Sequence, residues 1–332
     1  VSSFWISREE VRGIEYPIFL GLEQYSHVAK VITNSFLLLN FISIFLTVCI
    51  LYLLFNHLNF SKVLSVCLAS SFLVFFIPVR LYIAWPQMTD PVGFLIAAGL
   101  FYSLIKGRIS FFMILLFIGV FVRELILLFV PCFWIYVFTL RTSRSMRVAL
   151  FAVSFLPIIL FFYLRMNPYF PSQISVPESQ FPIYIESQLF RRFIDYFYLF
   201  LYHMGIAGRK YFWLNLIAMP FYTFGIFSFI LAFEWKKTVA ALKRYYYFAP
   251  FFAGIFIVGI NIDRIFFYLF PIVFLAMGYI VNDSLPERKK LILFFIAVLV
   301  LNFYLYEHYL PVAYDYYVLI PSEDFIFAKM HQ

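Results

Sequence analysis

Apolar residues in this chain come in long, nearly charge-free runs, and that constrains the fold more than any other feature. The runs cover 31–55, 63–84, 91–105, 109–122, 125–140, 148–164, 212–233, 246–262, 265–281 and 291–306. Strands of a membrane barrel alternate apolar and polar residues, so continuous runs of this kind read as helices. In hydrocarbon a helix also satisfies its own backbone polar groups. Composition then supplies the solvent. The chain is 64% hydrophobic and 13% charged, whereas a soluble domain is about half apolar and about a quarter charged. The expected fold is an all-α polytopic membrane helical bundle, a single transmembrane domain over 1–332 with about ten transmembrane segments.

Sidedness follows from the basic residues. The stretches after alternate runs, 56–62, 106–108, 141–147, 234–245 and 282–290, hold thirteen Lys and Arg against three acids. The positive-inside rule makes this the cytoplasmic side. The segments 1–30, 166–211 and 307–332, including both termini, then lie on the non-cytoplasmic side. The assignment requires 109–140 to be two segments with a turn at Arg123-Glu124. The net charge of +8 is explained by topology, and no nucleic-acid partner is expected. Within the outer loop, Leu189, Phe193, Phe197, Phe200 and Met204 recur at helical spacing, which predicts an interfacial amphipathic helix over 187–206. The chain begins at Val1, and loss of a preceding first helix by processing or truncation is one expectation.

The runs 91–105 and 109–122 are short. About fifteen residues of helix cover roughly 22 Å, less than the ~30 Å hydrocarbon core. The Arg123-Glu124 turn is therefore expected below the outer surface, where non-helical backbone is tolerated if it lines a cavity. Four groups of ionisable residues fall on this side. Asp90, followed by Pro91, reads as a helix N-cap and equally as a surface carboxylate able to act as general base or to bind a cation. Arg123 and Glu124 read as a structural ion pair at the turn or as a phosphate-binding arginine with its orienting acid. Asp263 and Arg264 read as a solvated turn or as an anion site where Arg264 opens a helix. Glu9, Glu10 and Glu15 read as a solvated stretch or as the source of a catalytic carboxylate.

Cys49, Cys67 and Cys132 lie inside apolar runs and read as packing residues. The five histidines are not at metal-ligand spacing, so no metal is expected. Walker A, dinucleotide and nucleophile-elbow motifs are absent from the sequence, and no cofactor is expected.

The run MTDPVGFLIAAGL, the basic turn KGR and the segment VRELILLFVP resemble membrane glycosyltransferases of the GT-C class, as do RGIEYPIFLGL near the N-terminus and GINIDRIFFYLFP. The polyprenyl-phosphate-sugar-dependent bacterial branch is the most similar, over roughly residues 8–275. The resemblance implies an isoprenoid-phosphate-linked sugar donor taken from membrane lipid, transfer to an acceptor it does not specify, and an outer-loop acid as base. Asp90, Glu9 or Glu10 would be that base, with Arg123 and Arg264 on the donor phosphate beside Glu124 and Asp263. The composition suits a bacterial inner membrane. Two other classes remain open on sequence: a non-catalytic subunit packed against membrane protein partners, which suits the 48 phenylalanines, and a lipid or solute transporter, which suits short interrupted helices.

Overall fold

A computed structural model of the protein describes residues 26–75, 90–166, 220–221, 223–259, 263–285 and 287–308. Among these the regular structure is entirely helical. The α-helices are α1 (Ser26–His57), α2 (Lys62–Ser71), α3 (Asp90–Ile105), α4 (Ile109–Val122), α5 (Phe129–Thr139), α6 (Arg144–Val153) and α7 (Leu156–Met166). They continue with α8 (Ile226–Phe233), α9 (Trp235–Lys243), α10 (Ala249–Gly259), α11 (Asp263–Phe266), α12 (Phe270–Ser284) and α13 (Arg288–His308). Short 3-10 turns at Phe72–Val74, Glu124–Leu128, Tyr246–Phe248 and Phe267–Leu269 join or extend them.

Two of the tight reversals are built the same way. After α1, Asn59 adopts a left-handed conformation with φ 62°. The Phe60 amide donates to the Phe55 carbonyl at 3.2 Å and the Asn59 amide to the Asn56 carbonyl at 3.1 Å. The Phe55 and Phe60 rings then stack at 6.1 Å, completing a Schellman cap with its apolar contact. After α3, Gly107 takes φ 73°, the Arg108 amide reaches the Ser103 carbonyl at 2.8 Å and the Gly107 amide the Leu104 carbonyl at 3.1 Å. Ser61 caps α2 and Ser143 caps α6, each accepting from the amide three residues on, as short hydroxyl side chains do.

Close contacts fix how the helices run. A Cβ on Gly99 would lie 2.6 Å from Leu115, and one on Gly119 would lie 2.9 Å from Ile96, so α3 and α4 form an antiparallel hairpin about Gly107. The Gly119 position also meets Ile126 at 2.7 Å, and Phe112 stacks on Phe133 at 5.0 Å. The chain therefore reverses again at Arg123, as the two-segment reading of 109–140 requires.

Burial divides the apolar runs into two kinds. In α3, thirteen of sixteen residues are buried, and α12 is lined on most sides. By contrast α1 turns Leu38, Phe41 and Phe45 outward, each at least 60% exposed. Three helices are long and apolar enough to cross a membrane: Asn34–His57, Arg144–Phe161 and Phe267–Ser284. Five more apolar helices, Lys62–Val74, Asp90–Ile105, Ile109–Val122, Glu124–Thr139 and Tyr246–Phe256, are shorter. The helical bundle of the sequence reading stands, but only three of its expected ten or so spans reach spanning length among the described residues. Hydropathy counts apolar residues without sensing where 3-10 turns interrupt the helix, and it does not separate a helix buried in protein from one facing lipid.

Candidate functional site

The hairpin register of α3 and α4 carries the site. With Gly99 level with Leu115 and Ile96 level with Gly119, the first residue of α3 falls level with the turn beyond α4. That residue is Asp90. The Arg123 amide closes the last turn of α4 onto the Gly119 carbonyl at 2.9 Å, and the backbone then extends, with Arg123 at φ −152° and ψ 132°. This break points the Arg123 side chain at the start of α3, where its guanidinium forms an ion pair with Asp90.

Asp90 is 0% exposed, whereas the Arg123 side chain is 22% exposed. Arg123 Nε is buried and has no hydrogen-bond partner among the described residues. The third member comes from the far end of the chain. Tyr268, in the 3-10 turn Phe267–Leu269, is fully buried and donates its hydroxyl to Asp90 Oδ1 at 3.5 Å, a long contact. Its ring packs edge-on against Phe94 at 4.7 Å.

Gly93 makes the convergence possible. It lies one turn after Asp90 on the same face of α3, and a Cβ there would collide with the Tyr268 hydroxyl and come within 3.3 Å of Arg123 Cγ. We expect Gly93→Ala to cost about 1–3 kcal/mol through overpacking, read as a drop in the unfolding midpoint in detergent. An unchanged midpoint would mean that Tyr268 does not cross α3 at this point.

The structure thus pairs Arg123 with Asp90 rather than with its chain neighbour Glu124. Glu124 lies near enough to Arg123 and Tyr268 to add to the charge around both. Asp90 differs from the surface carboxylate read from sequence: it begins α3, with Pro91 next, but it is wholly enclosed. Asp263 begins α11 and Arg264 follows it, while their side chains lie outside the described residues. Glu9, Glu10 and Glu15 lie outside them too, as does the amphipathic stretch 187–206. Sequence reasoning missed Tyr268 and Gly93. The available signal was a residue without a side chain one helical turn after a carboxylate at a helix start.

No protein-family model, no curated protein and no solved structure matches the chain. The site must therefore be judged on its own chemistry. Among the described residues no group of three or more His, Cys, Asp or Glu is placed to hold a metal ion. What the geometry offers is an arginine, its side chain partly exposed, backed by a buried carboxylate. A planar guanidinium has five N–H donors, of which Asp90 takes only part. The arrangement suits binding of an anion by Arg123, with Asp90 and Tyr268 holding the guanidinium in place.

Proposed function

We propose that this chain is an integral membrane protein of the GT-C glycosyltransferase type, using an isoprenoid-phosphate-linked sugar at the end of the bundle where Asp90 and Arg123 meet. The observation that carries the reading is the Arg123 side chain, partly exposed and with its guanidinium held by a buried acid, at a break between two short helices in an otherwise apolar bundle. Ionisable groups in such surroundings are costly and mark pathways or sites. The outward-facing apolar residues of α1 support immersion in lipid. In the proposal the shorter apolar helices also cross, giving about ten spans, with the basic turns on the cytoplasmic side and both termini opposite.

In the reaction, an acceptor hydroxyl oxygen bonds to the sugar's anomeric carbon as the bond from that carbon to the phosphate oxygen breaks. The isoprenoid phosphate leaves with the electron pair, and Arg123 stabilises its growing charge. The acceptor's proton passes to a carboxylate. Enclosure of Asp90 suits it to orienting Arg123, which leaves Glu9 or Glu10 as the base in this reading. Arg264 would add a second cation to the phosphate and Asp263 would orient it, as Glu124 would beside Arg123.

The test is transfer of radiolabelled sugar from isoprenoid phosphate donors by the purified chain, comparing wild type with Arg123→Lys and Asp90→Asn. Lysine keeps the charge but not the planar fork. We expect about 10²–10³-fold slower transfer in Arg123→Lys, the usual cost of losing a placed charge-stabilising donor, with folding intact. Transfer at the wild-type rate in both variants would discard the site, and wild-type protein inert toward every donor would discard the activity.

The burial of Asp90 favours a second reading, a non-catalytic subunit in which the ion pair only locks the hairpin. That reading predicts stable co-purification with membrane protein partners and no transfer.

A further inference from the structure

At the opposite end of the bundle lies a cavity of about 140 Å³, lined by Phe101 of α3, Leu242 of α9, Phe248, and Ile272 and Leu275 of α12. Its remaining lining residues, Tyr245, Tyr246, Ala249 and Phe252, form the side toward the surface. Tyr246 and Phe252 are 55% and 40% exposed, and Ala249 is exposed as well, so the cavity opens outward. It is close to the ~150 Å³ of a dry apolar cavity that accepts one benzene ring, which is room for roughly five or six carbons of an alkyl chain.

A cation stands one helical turn beyond it. Along α12, Ile272, Leu275 and Tyr279 share a face at helical spacing. The first two line the cavity, and Tyr279, one turn further on, carries the Arg244 guanidinium over its ring at 4.7 Å. The Tyr279 and Tyr245 hydroxyls hydrogen-bond at 2.8 Å, which fixes this roof. Lys243 and Arg244 are both exposed, and among the described residues neither forms an ion pair with a carboxylate. Lys243 ends α9, a two-sided helix with Trp235, Lys236 and Lys237 exposed, the residue mix of a helix lying at a bilayer surface. An apolar slot one helical turn, about 5.4 Å, beneath the Arg244 guanidinium, with exposed Lys243 next to it in the chain, has the layout of a phospholipid: acyl chain below, anionic headgroup above.

We infer that the cavity under Arg244 is a binding site for an anionic phospholipid, with part of an acyl chain between Phe101, Phe252 and Leu275 and the headgroup phosphate on Lys243 and Arg244. This rests on the membrane reading of the chain but not on glycosyl transfer.

The test reconstitutes the full chain in nanodiscs containing phosphatidylcholine with a minor fraction of phosphatidylglycerol, and counts retained lipid by native mass spectrometry after gentle detergent extraction. Wild type retains phosphatidylglycerol in preference to phosphatidylcholine. Lys243→Ala and Arg244→Ala each lower that preference about fivefold, the contribution of one cation near an anionic lipid surface. Ala249→Trp, at the exposed rim and so tolerated by the fold, plugs the mouth and removes bound lipid of both kinds. Equal retention of the two lipids by wild type would overturn the site, as would Ala249→Trp retaining phosphatidylglycerol normally. Alkaline carbonate extraction of the protein from vesicles is the control: a chain washed off the vesicles overturns the membrane reading itself, whereas an inserted chain without lipid selectivity overturns only the site.

Discussion

Arg123→Ala is expected to lower the unfolding free energy by about 3–5 kcal/mol, because it strands the Asp90 carboxylate in a fully enclosed position. Asp90 is 0% exposed and the turn at Arg123 brings its cation. The cost arises from the partner left behind rather than from the worth of the pair. The double substitution Arg123→Met with Asp90→Asn is therefore expected to recover most of the loss, since removing both charges removes the uncompensated one. Denaturant-induced unfolding in detergent micelles, run as a double-mutant cycle, measures the coupling. If the double variant were as unstable as Arg123→Ala alone, the ion pair would not be what holds the turn. The cycle also separates the two readings of the site. A double variant that is stable but inactive points to chemistry at Arg123. One that is stable and still supports every function of the chain points to a lock.

The second large effect is expected from Phe267→Ala, at about 3–5 kcal/mol. Phe267 is fully buried and is the hub of the aromatic core. Its ring lies 5.5 Å from Phe72, 5.9 Å from Phe75, 5.3 Å from Phe94 and 5.5 Å from both Phe224 and Phe270. These neighbours come from four separate stretches of the chain, so the void has no single element that can collapse into it. Phe267 also precedes Tyr268, and loosening it frees the hydroxyl that reaches Asp90. The comparison is Leu38→Ala on the outer face of α1, where the side chain is 62% exposed and the expected change is within about 0.5 kcal/mol. Equal midpoints for the two variants in thermal unfolding would contradict this placement of the core.

That the chain is helical was legible in its unbroken apolar runs, because only a helix satisfies the backbone over such lengths. The reversal at Arg123-Glu124 was legible too, since two charges inside an apolar run are tolerated only where the helix stops. The basic turn at Lys106–Arg108 fell where Gly107 allows a left-handed cap. The site was half visible. Asp90 and Arg123 stood out as ions in apolar sequence, but each had a plausible local partner or role, and nothing local joins residues thirty-three apart.

Tertiary structure decided that joining, through the register of the α3–α4 hairpin. Gly99 and Gly119 let the two helices approach closely, and that approach carries Asp90 to the level of Arg123. It likewise decided that Tyr268, far along the chain, crosses at Gly93. It decided which apolar runs form the interior and which face outward, because α1 and α3 are both apolar helices yet only α3 is enclosed by its neighbours. Sequence by itself determined the local choices of helix, cap and turn, where the energies come from near neighbours. The pairing of a buried charge and the sorting of apolar faces depend on residues far apart in the chain, and only packing in three dimensions sets those.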